Sequence, residues 1–468
     1  MKPLVLVTAP VGTRSGYGSH SRDICRSLIA MDKFDIKIWP VRWGGTPQNG
    51  LDEKNPNDTS IIKRLLSNPN MDRQPDIHFH IVVPNEFQNM AKYNIGITAG
   101  VETTVCPPEW IEGLNRMNLN IVPANFIKKS LSNTTFDKHN EQTKEKIGEI
   151  RCQSPIEVLF EGADTELYKP TKEFSKDLVD TLKEIKEDFC FLFVGHWLQG
   201  GLGHDRKDLG MLIKTFLETF KNKKKQPALI LKTSGATPCI LDREDLLGKI
   251  KEIKNTVNGK LPSVYILHGD LDDDEMNELY NYPKVKAHVS FTHGEGFGRP
   301  LLEASLSEKP VIAPNWSGHV DFLEGGNAIL LPGSLNDVKE ESLQKGIYVK
   351  GQQWFTVNYN YASKTLKEVF DNYSKYMVKS KKLALVNKTK FSLDAMTKKF
   401  EGILDKYLPK FEEQPQQVKL NLPKLKKVSK SGDPEWSVKP TELNLPKLKK
   451  VGSVKEKPKL ELPKLKKV

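Results

Sequence analysis

THGEGFGRPLLEAS, Thr292–Ser305, sets two carboxylates, Glu295 and Glu303, on either side of a glycine-hinged turn that leads into a helix. Gly296 and Gly298 admit backbone conformations closed to other residues and let a ligand come close to the main chain. Pro300 suits the first helical position, where its missing N–H costs nothing. The free amides and positive dipole end of that helix favour an anion such as a diphosphate over the turn. On this reading Glu303 lies in the first helical turn, where the dipole keeps it ionised and able to accept hydrogen bonds from sugar hydroxyls. Glu295 precedes the turn at a strand end. Taken singly, either acid is also what an ordinary glycine turn or a stable helix start carries.

The flanking sequence weighs against the ordinary explanation. Val285–Phe291 reads as a buried strand, LDDDEMNELYNY before it as a capped helix, and KPVIAPNWSGHVDFL followed by GGNAILL as a further strand and a second glycine-rich approach to the same edge. Helix, strand, glycine turn, helix, strand is a doubly wound α/β unit, whose ligands bind at the carboxyl ends of the strands. The fold class expected is therefore α/β.

From about Tyr265 to Leu331 the chain resembles the donor-binding half of the family-4 retaining glycosyltransferases of the GT-B fold, of glycosyltransferase group 1 type. The spacing Glu, seven residues, Glu is met by Glu295 and Glu303, with GFG and PLLEA between and after. FLFVGHWLQGGLGHDRKDLGMLIKTF, Phe191–Phe216, resembles the first strand and phosphate loop of the family's second domain, and Arg206 and Lys207 stand where its diphosphate-binding basic pair stands. Many members carry Arg after the strand's glycine. Here Gly195 is followed by His196, which implies a weaker or pH-sensitive phosphate contact.

The resemblance implies two Rossmann-like domains facing across a cleft, a nucleoside diphosphate sugar (a UDP- or GDP-sugar) as donor, no required metal or other cofactor, and retention by attack on the leaving-group face. It assigns Glu295 to the transferred hexose-type sugar, Glu303 to the ribose, Arg206 and Lys207 to the diphosphate, and Gly296, Phe297 and Gly298 to backbone amides at the donor. The physical requirement stands independently. Cleaving a sugar–phosphate bond builds negative charge on the diphosphate, so fixed cations and amide dipoles there lower the barrier. The alternative for Arg206 and Lys207 is a solvated pair capping the next helix.

The N-terminal half fits an acceptor-side domain: LVLVTAPV reads as a buried strand and TRSGYGSHSRDICRSLIAM as a glycine-rich turn and an amphipathic helix. Gly16 and Gly18 lack the third glycine of a dinucleotide fingerprint. In the resembled family this turn closes over the donor diphosphate. FDIKIWPV, DIHFHIVVP, YNIGITAG and LNIVPA add strands. His78 and His80 share one strand face, and are either satisfied by neighbouring carbonyls or set to touch the sugar. Glu102 either faces the cleft or is an ordinary loop acid. The run Asp272–Asp274 evokes a metal-binding Asp-x-Asp, but its position before EMNELYNY suits a helix cap.

With 468 residues and 38% apolar content the chain can bury two cores. The expected division is 1–157 on the acceptor side, 158–375 for the nucleotide sugar, 376–413 as helices bracing the first domain, and 414–468 as a tail. The charged insert DKHNEQTKEKIGEIR precedes VLFEGADTELYKP at the crossing. Five cysteines, without CxxC spacing, point to a reducing compartment. No apolar run reaches membrane-spanning length and MKPLVLVTAP is not a signal peptide, so a soluble, cytoplasmic protein is expected.

LNLPKLKKV occurs at Leu420–Val428 and Leu443–Val451, and LELPKLKKV at Leu460–Val468. From Gln414 onward there are 15 Lys against 5 acids, a net of +10 out of +12 for the whole chain. The basic balance describes a tail and leaves the body nearly neutral. Proline in every copy argues against a helix, so the tail reads as a disordered string of three linear motifs. Candidate ligands are DNA, another anionic polymer, an anionic membrane surface, or an acidic groove on another protein, and tandem copies would reinforce one another. The acceptor stays open among glycan, lipid-linked glycan, protein and DNA. A DNA-modifying transferase tethered by its tail and an inactive glycosyltransferase-like scaffold remain alternatives.

Overall fold

Short apolar runs closed by glycine, proline or asparagine form two parallel sheets in the computed structural model, which describes residues 2–140, 142–198, 200–235, 237–344, 346–411 and 465–467. In the first lobe the chain runs β1 (Leu4–Ala9), α1 (Gly16–Met31), β2 (Asp35–Pro40), α2 (Pro56–Ile62), β3 (Ile77–Ile81), β4 (Tyr93–Ile97), α3 (Pro108–Asn115), β5 (Leu119–Val122), α4 (Asn125–Asn133), β6 (Thr135–His139), β7 (Lys146–Arg151) and β8 (Ile156–Val158). The parallel sheet has the order β2-β1-β3-β4-β5-β8 and reverses its winding between β1 and β3. The charged insert before the crossing is an antiparallel hairpin of β6 and β7. Its sequence hides this because both strands are largely exposed, so neither carries an apolar alternation.

The second lobe runs α5 (Lys176–Leu182), β9 (Cys190–Val194), α6 (Leu209–Phe220), β10 (Ala228–Lys232), α7 (Ile240–Asn255), β11 (Ser263–Leu267), α8 (Asp273–Asn281), β12 (Val285–Val289), α9 (Arg299–Ser305), β13 (Val311–Pro314), α10 (Val320–Leu323), β14 (Ile329–Leu331), the antiparallel pair β15 (Gly333–Asp337) and β16 (Gln353–Val357), α11 (Tyr359–Asp371) and α12 (Tyr373–Lys390). The sheet order is β14-β13-β12-β9-β10-β11, and β17 (Leu465–Lys467) lies antiparallel on β11. Winding here reverses between β9 and β12, so the loops leaving those two strands open into one crevice.

Alternation along the strands covers both faces of this sheet. Leu192 and Ile230 pack with Leu301, Leu302, Leu279 and Tyr280 of α9 and α8. Phe191, Phe193, Leu229 and Leu231 pack with Leu212, Phe216 and Leu366 of α6 and α11 on the other side. The first aspartate of the run caps α8: Asp272 accepts from the Glu275 amide, and the Glu275 carboxylate accepts from the Asp272 amide. The helix cap read from the sequence is thus a reciprocal capping box.

α12 stays with the second lobe and packs on α9, with Leu383 buried there. The return to the first lobe falls to α13 (Leu393–Tyr407), whose Met396, Phe400, Ile403 and Leu404 complete the core around β1 and β3. The two strands of chain that cross between lobes also bond to each other. The Ala163 amide donates to the Phe391 carbonyl at 2.9 Å, and the Leu393 amide to the Ala163 carbonyl at 2.8 Å. Of the expected tail, only β17 falls within the described residues; the first two repeats lie outside them. All five cysteines are free thiols, with Cys25, Cys106 and Cys190 buried. No helix among the described residues is long and apolar enough to cross a membrane.

Phe400 is fully buried, edge-to-face with Phe79 at a 5.8 Å centroid separation. Phe400→Ala should lower stability in urea unfolding by about 3–5 kcal/mol. A loss under 1 kcal/mol would show that α13 does not carry the first lobe's core.

Candidate functional site

The segment Thr292–Ser305 leaves β12 beside the loop that leaves β9, and hydrogen bonds to the Arg206 carbonyl tie the two together. The Arg206 carbonyl accepts from the His293 amide at 3.0 Å and from the Thr292 hydroxyl at 3.3 Å. His293 is itself fixed, its Nδ1 2.7 Å from the Phe355 carbonyl and its ring stacked on Trp354 at 4.2 Å. Arg206 and Lys207 are thereby held against the turn. Lys207 Nζ is ion-paired and hydrogen-bonded to Glu295 Oε1, and Arg206 Nη1 is 3.7 Å from Glu295 Oε2.

Glu102, from the loop after β4 in the first lobe, completes the cluster. Its Oε1 accepts from Arg206 Nη1 at 3.1 Å and from the Tyr348 hydroxyl at 3.0 Å. Two cations and two carboxylates thus meet at the crevice, three of them almost fully buried and Arg206 with 31% of its side chain exposed. Burial disfavours the charged form of Glu295, but Lys207 and Arg206 outweigh it and hold the carboxyl below its usual range. Burial and the neighbouring Arg206 pull Lys207 below the ordinary lysine range, against the attraction of Glu295. Burial likewise opposes charge on Arg206, yet Glu102 and Glu295 bind its cationic form all the tighter.

The glycines of the turn permit close approach between lobes. A Cβ on Gly296 would collide with the Ala99 carbonyl, and one on Gly294 would lie 2.5 Å from Glu102 Cβ. Gly298 is the N-cap of α9 at φ 96°, a left-handed conformation. Arg299 and Pro300 are the first two helical residues, which moves Pro300 one place further in than expected. Phe297 is buried, its ring 5.0 Å from Phe322. The Glu295 amide donates to Ser317 Oγ at 2.8 Å, and its carbonyl accepts from the Gly318 amide at 2.9 Å. Ser317 and Gly318 are contributors that the sequence reading missed, although SGH after the strand β13 held the signal.

Glu303 departs from expectation. It is the fifth residue of α9, beyond the first turn, and burial pushes its pKa up to about 7 despite Arg299. The helix dipole fades within one turn, so Glu303 depends on side chains instead: Arg299 Nε at 2.9 Å and the Tyr280 hydroxyl at 3.4 Å. Arg299 also reaches across the cleft to Asp23 of α1 at 2.5 Å. Glu303 therefore belongs to a second polar group, distinct from the Glu295 cluster.

Gly16 and Gly18 form the first turn of α1, not a loop ahead of it, because Ser15 caps the helix by accepting from the Gly18 amide at 3.0 Å. A side chain on Gly18 would strike the Thr13 carbonyl, whereas Gly16 faces open space. Tyr17 between them stacks on Trp43, donates to or accepts from Thr98 Oγ1 at 3.0 Å, and accepts from the Ala99 amide at 3.0 Å. It thereby links this turn to the residue against which Gly296 rests. His78 and His80 are buried and occupied locally, by Thr8 and the Gln88 main chain. Burial lowers their pKa values to about 3 and 4. His196 Nδ1 lies 3.2 Å from the Gly235 carbonyl, and burial with Lys207 and Lys232 nearby lowers its pKa.

No protein-family model matches the chain, and no curated protein sequence does. Solved structures do share its fold. Alr3699/HepE of Anabaena, in complex with UDP and glucose, is 13% identical and superposes with a TM-score of 0.55 over 86% of this chain and 100% of that one. Sucrose-phosphate synthase of Thermosynechococcus elongatus is 11% identical with a TM-score of 0.56, covering 87% and 99%. A glycosyltransferase of Rickettsia africae is 14% identical with a TM-score of 0.55, again covering 87% and 99%. The fold is GT-B, two Rossmann-like lobes facing across a cleft.

Lys207→Met, which leaves the buried Glu295 carboxylate short of a cation, should cost about 3 kcal/mol in denaturant unfolding at pH 7. The double variant Lys207→Met/Glu295→Gln should recover about 1–3 kcal/mol of coupling. Strict additivity of the two single changes would show that the pair is not coupled.

Glu161, buried on the crossing segment, has its pKa pushed up to about 8, first by burial and then by Asp23 and Glu303 against Arg299. An unfolded glutamate titrates near ~4.3, so the folded state holds the extra proton in between. Its stability contribution is complete below about pH 4 and fades as pH rises to about 8. The melting temperature should therefore fall by a few degrees more between pH 5 and 9 in the parent than in Glu161→Gln. Parallel profiles would exclude this titration.

Proposed function

We propose that this protein is a retaining glycosyltransferase that moves a hexose-type sugar from a nucleoside diphosphate sugar to an acceptor. The observation that carries the reading is the convergence of Arg206 and Lys207 on Glu295 at the strand ends where winding reverses. In open α/β sheets that crevice is where ligands bind. A relative in fold from Anabaena is a complex with UDP and glucose, which supports a nucleotide-sugar donor.

In this reading Arg206, the exposed cation, meets the diphosphate first, and Lys207 follows as phosphate takes over its charge from Glu295. Charge grows on the leaving diphosphate as the glycosidic bond breaks, and both cations stabilise it without reorganising. Glu295, released from Lys207 but kept ionised by Arg206, faces the transferred sugar and supports positive charge at the anomeric carbon. The amides of Gly296, Phe297 and Gly298 add dipoles. Glu303, kept in place by Arg299 and Tyr280, accepts from the ribose. No metal is assigned a part: Asp272 is committed to capping α8, and Asp273 and Asp274 lie in its first turn.

Incubation with UDP-, GDP- and ADP-sugars, followed by mass spectrometry, should show hydrolysis or transfer of one donor class that persists in EDTA. Complete loss in EDTA restored by manganese would overturn the metal-independent reading, and a silent panel would favour a scaffold. Glu295→Ala should keep its circular dichroism spectrum and lose about 10²–10³ of turnover. Near-normal rates would remove Glu295 from the chemistry.

A further inference from the structure

β11 is the last parallel strand of the second sheet, and all five of its residues are buried. An apolar strand in that position offers unpaired amides and carbonyls to any chain that can extend beside it. In the structure the partner is β17, from the third LPKLKKV repeat, running antiparallel with Leu465 opposite Leu267, Lys466 opposite Ile266 and Lys467 opposite Tyr265.

We propose that the outer edge of β11 is a docking site for the LPKLKKV unit, occupied by the chain's own tail, and that the three copies share it. The pairing is read through the main chain, and each copy presents the same tripeptide: Leu425–Lys427, Leu448–Lys450 and Leu465–Lys467. A three-residue strand is a weak ligand, and its tether raises the effective concentration enough for it to compete. Proline ahead of the tripeptide and lysines within it suit an outermost strand, since both residue types discourage a further strand from adding. The repeat thus closes the sheet and prevents edge-to-edge association, a role separate from the donor cleft.

Hydrogen exchange of the full-length protein tests this. In the variant Leu425→Pro/Leu448→Pro/Leu465→Pro, which keeps every lysine, edge amides of residues 265–267 should exchange about tenfold faster or more. Leu465→Pro alone should leave them protected, because another copy takes the edge. Adding the peptide LELPKLKKV to the triple variant should restore protection, whereas the same peptide N-methylated at its Leu-Lys-Lys amides should not. Unchanged exchange in the triple variant, or equal rescue by the methylated peptide, would overturn backbone docking. Full loss of protection in Leu465→Pro would overturn sharing among copies. A concentration-dependent dimer in light scattering, absent from the triple variant, would overturn the intrachain assignment in favour of a neighbouring molecule's tail.

Discussion

The crevice between the lobes depends on a single constraint: charges removed from water at the ends of β9 and β12 must neutralise one another. Glu295 would be costly in that position without Lys207 and Arg206, and Arg206 would lack its full complement without Glu102. The main-chain bond from the His293 amide to the Arg206 carbonyl, seconded by the Thr292 hydroxyl, fixes the two loops in register before any charged side chain is considered. Ion pairing is then a matter of rotamers. A site built this way is preorganised for an anion, because its cations are already gathered and dehydrated.

The same constraint connects the lobes. Glu102 belongs to the first lobe and Arg206 to the second, and Gly294 and Gly296 are glycines because Glu102 and Ala99 lie directly against them. A second bridge, Asp23–Arg299–Glu303, joins α1 to α9. Together with the mutual bonding of the crossing segments at Ala163 and Phe391–Leu393, these contacts hold the two lobes to each other. Substitutions at Gly294 or Gly296 act on the distance between lobes as much as on the turn itself.

Much of the architecture was readable from local pattern. The apolar runs of β1, β3, β9 and β12, the capping box of α8 and the glycine turn before α9 are signals with a range of a few residues. The β6–β7 hairpin was invisible because exposed strands need no apolar period. Gly16 was misplaced by one element since Ser15 can cap a helix or end a loop with equal ease. The grouping of Glu295 with Glu303 by spacing also hid a difference, as the eight-residue step carries Glu303 into a buried environment of its own, with a pKa near 7.

The sequence by itself determined which charged groups and turns the fold would carry: an acid before a glycine turn, a basic pair after a strand, and strands in the order of a doubly wound fold. Only the tertiary structure decided which of those groups meet. Arg206 and Glu295 are far apart in the chain, and their proximity follows from β9 and β12 being neighbours in the sheet. Burial is likewise a property of the assembled lobes: it raises the pKa of both carboxyls, and the two cations beside Glu295 reverse it there while Arg299 alone does not at Glu303, so identical side chains differ in protonation behaviour.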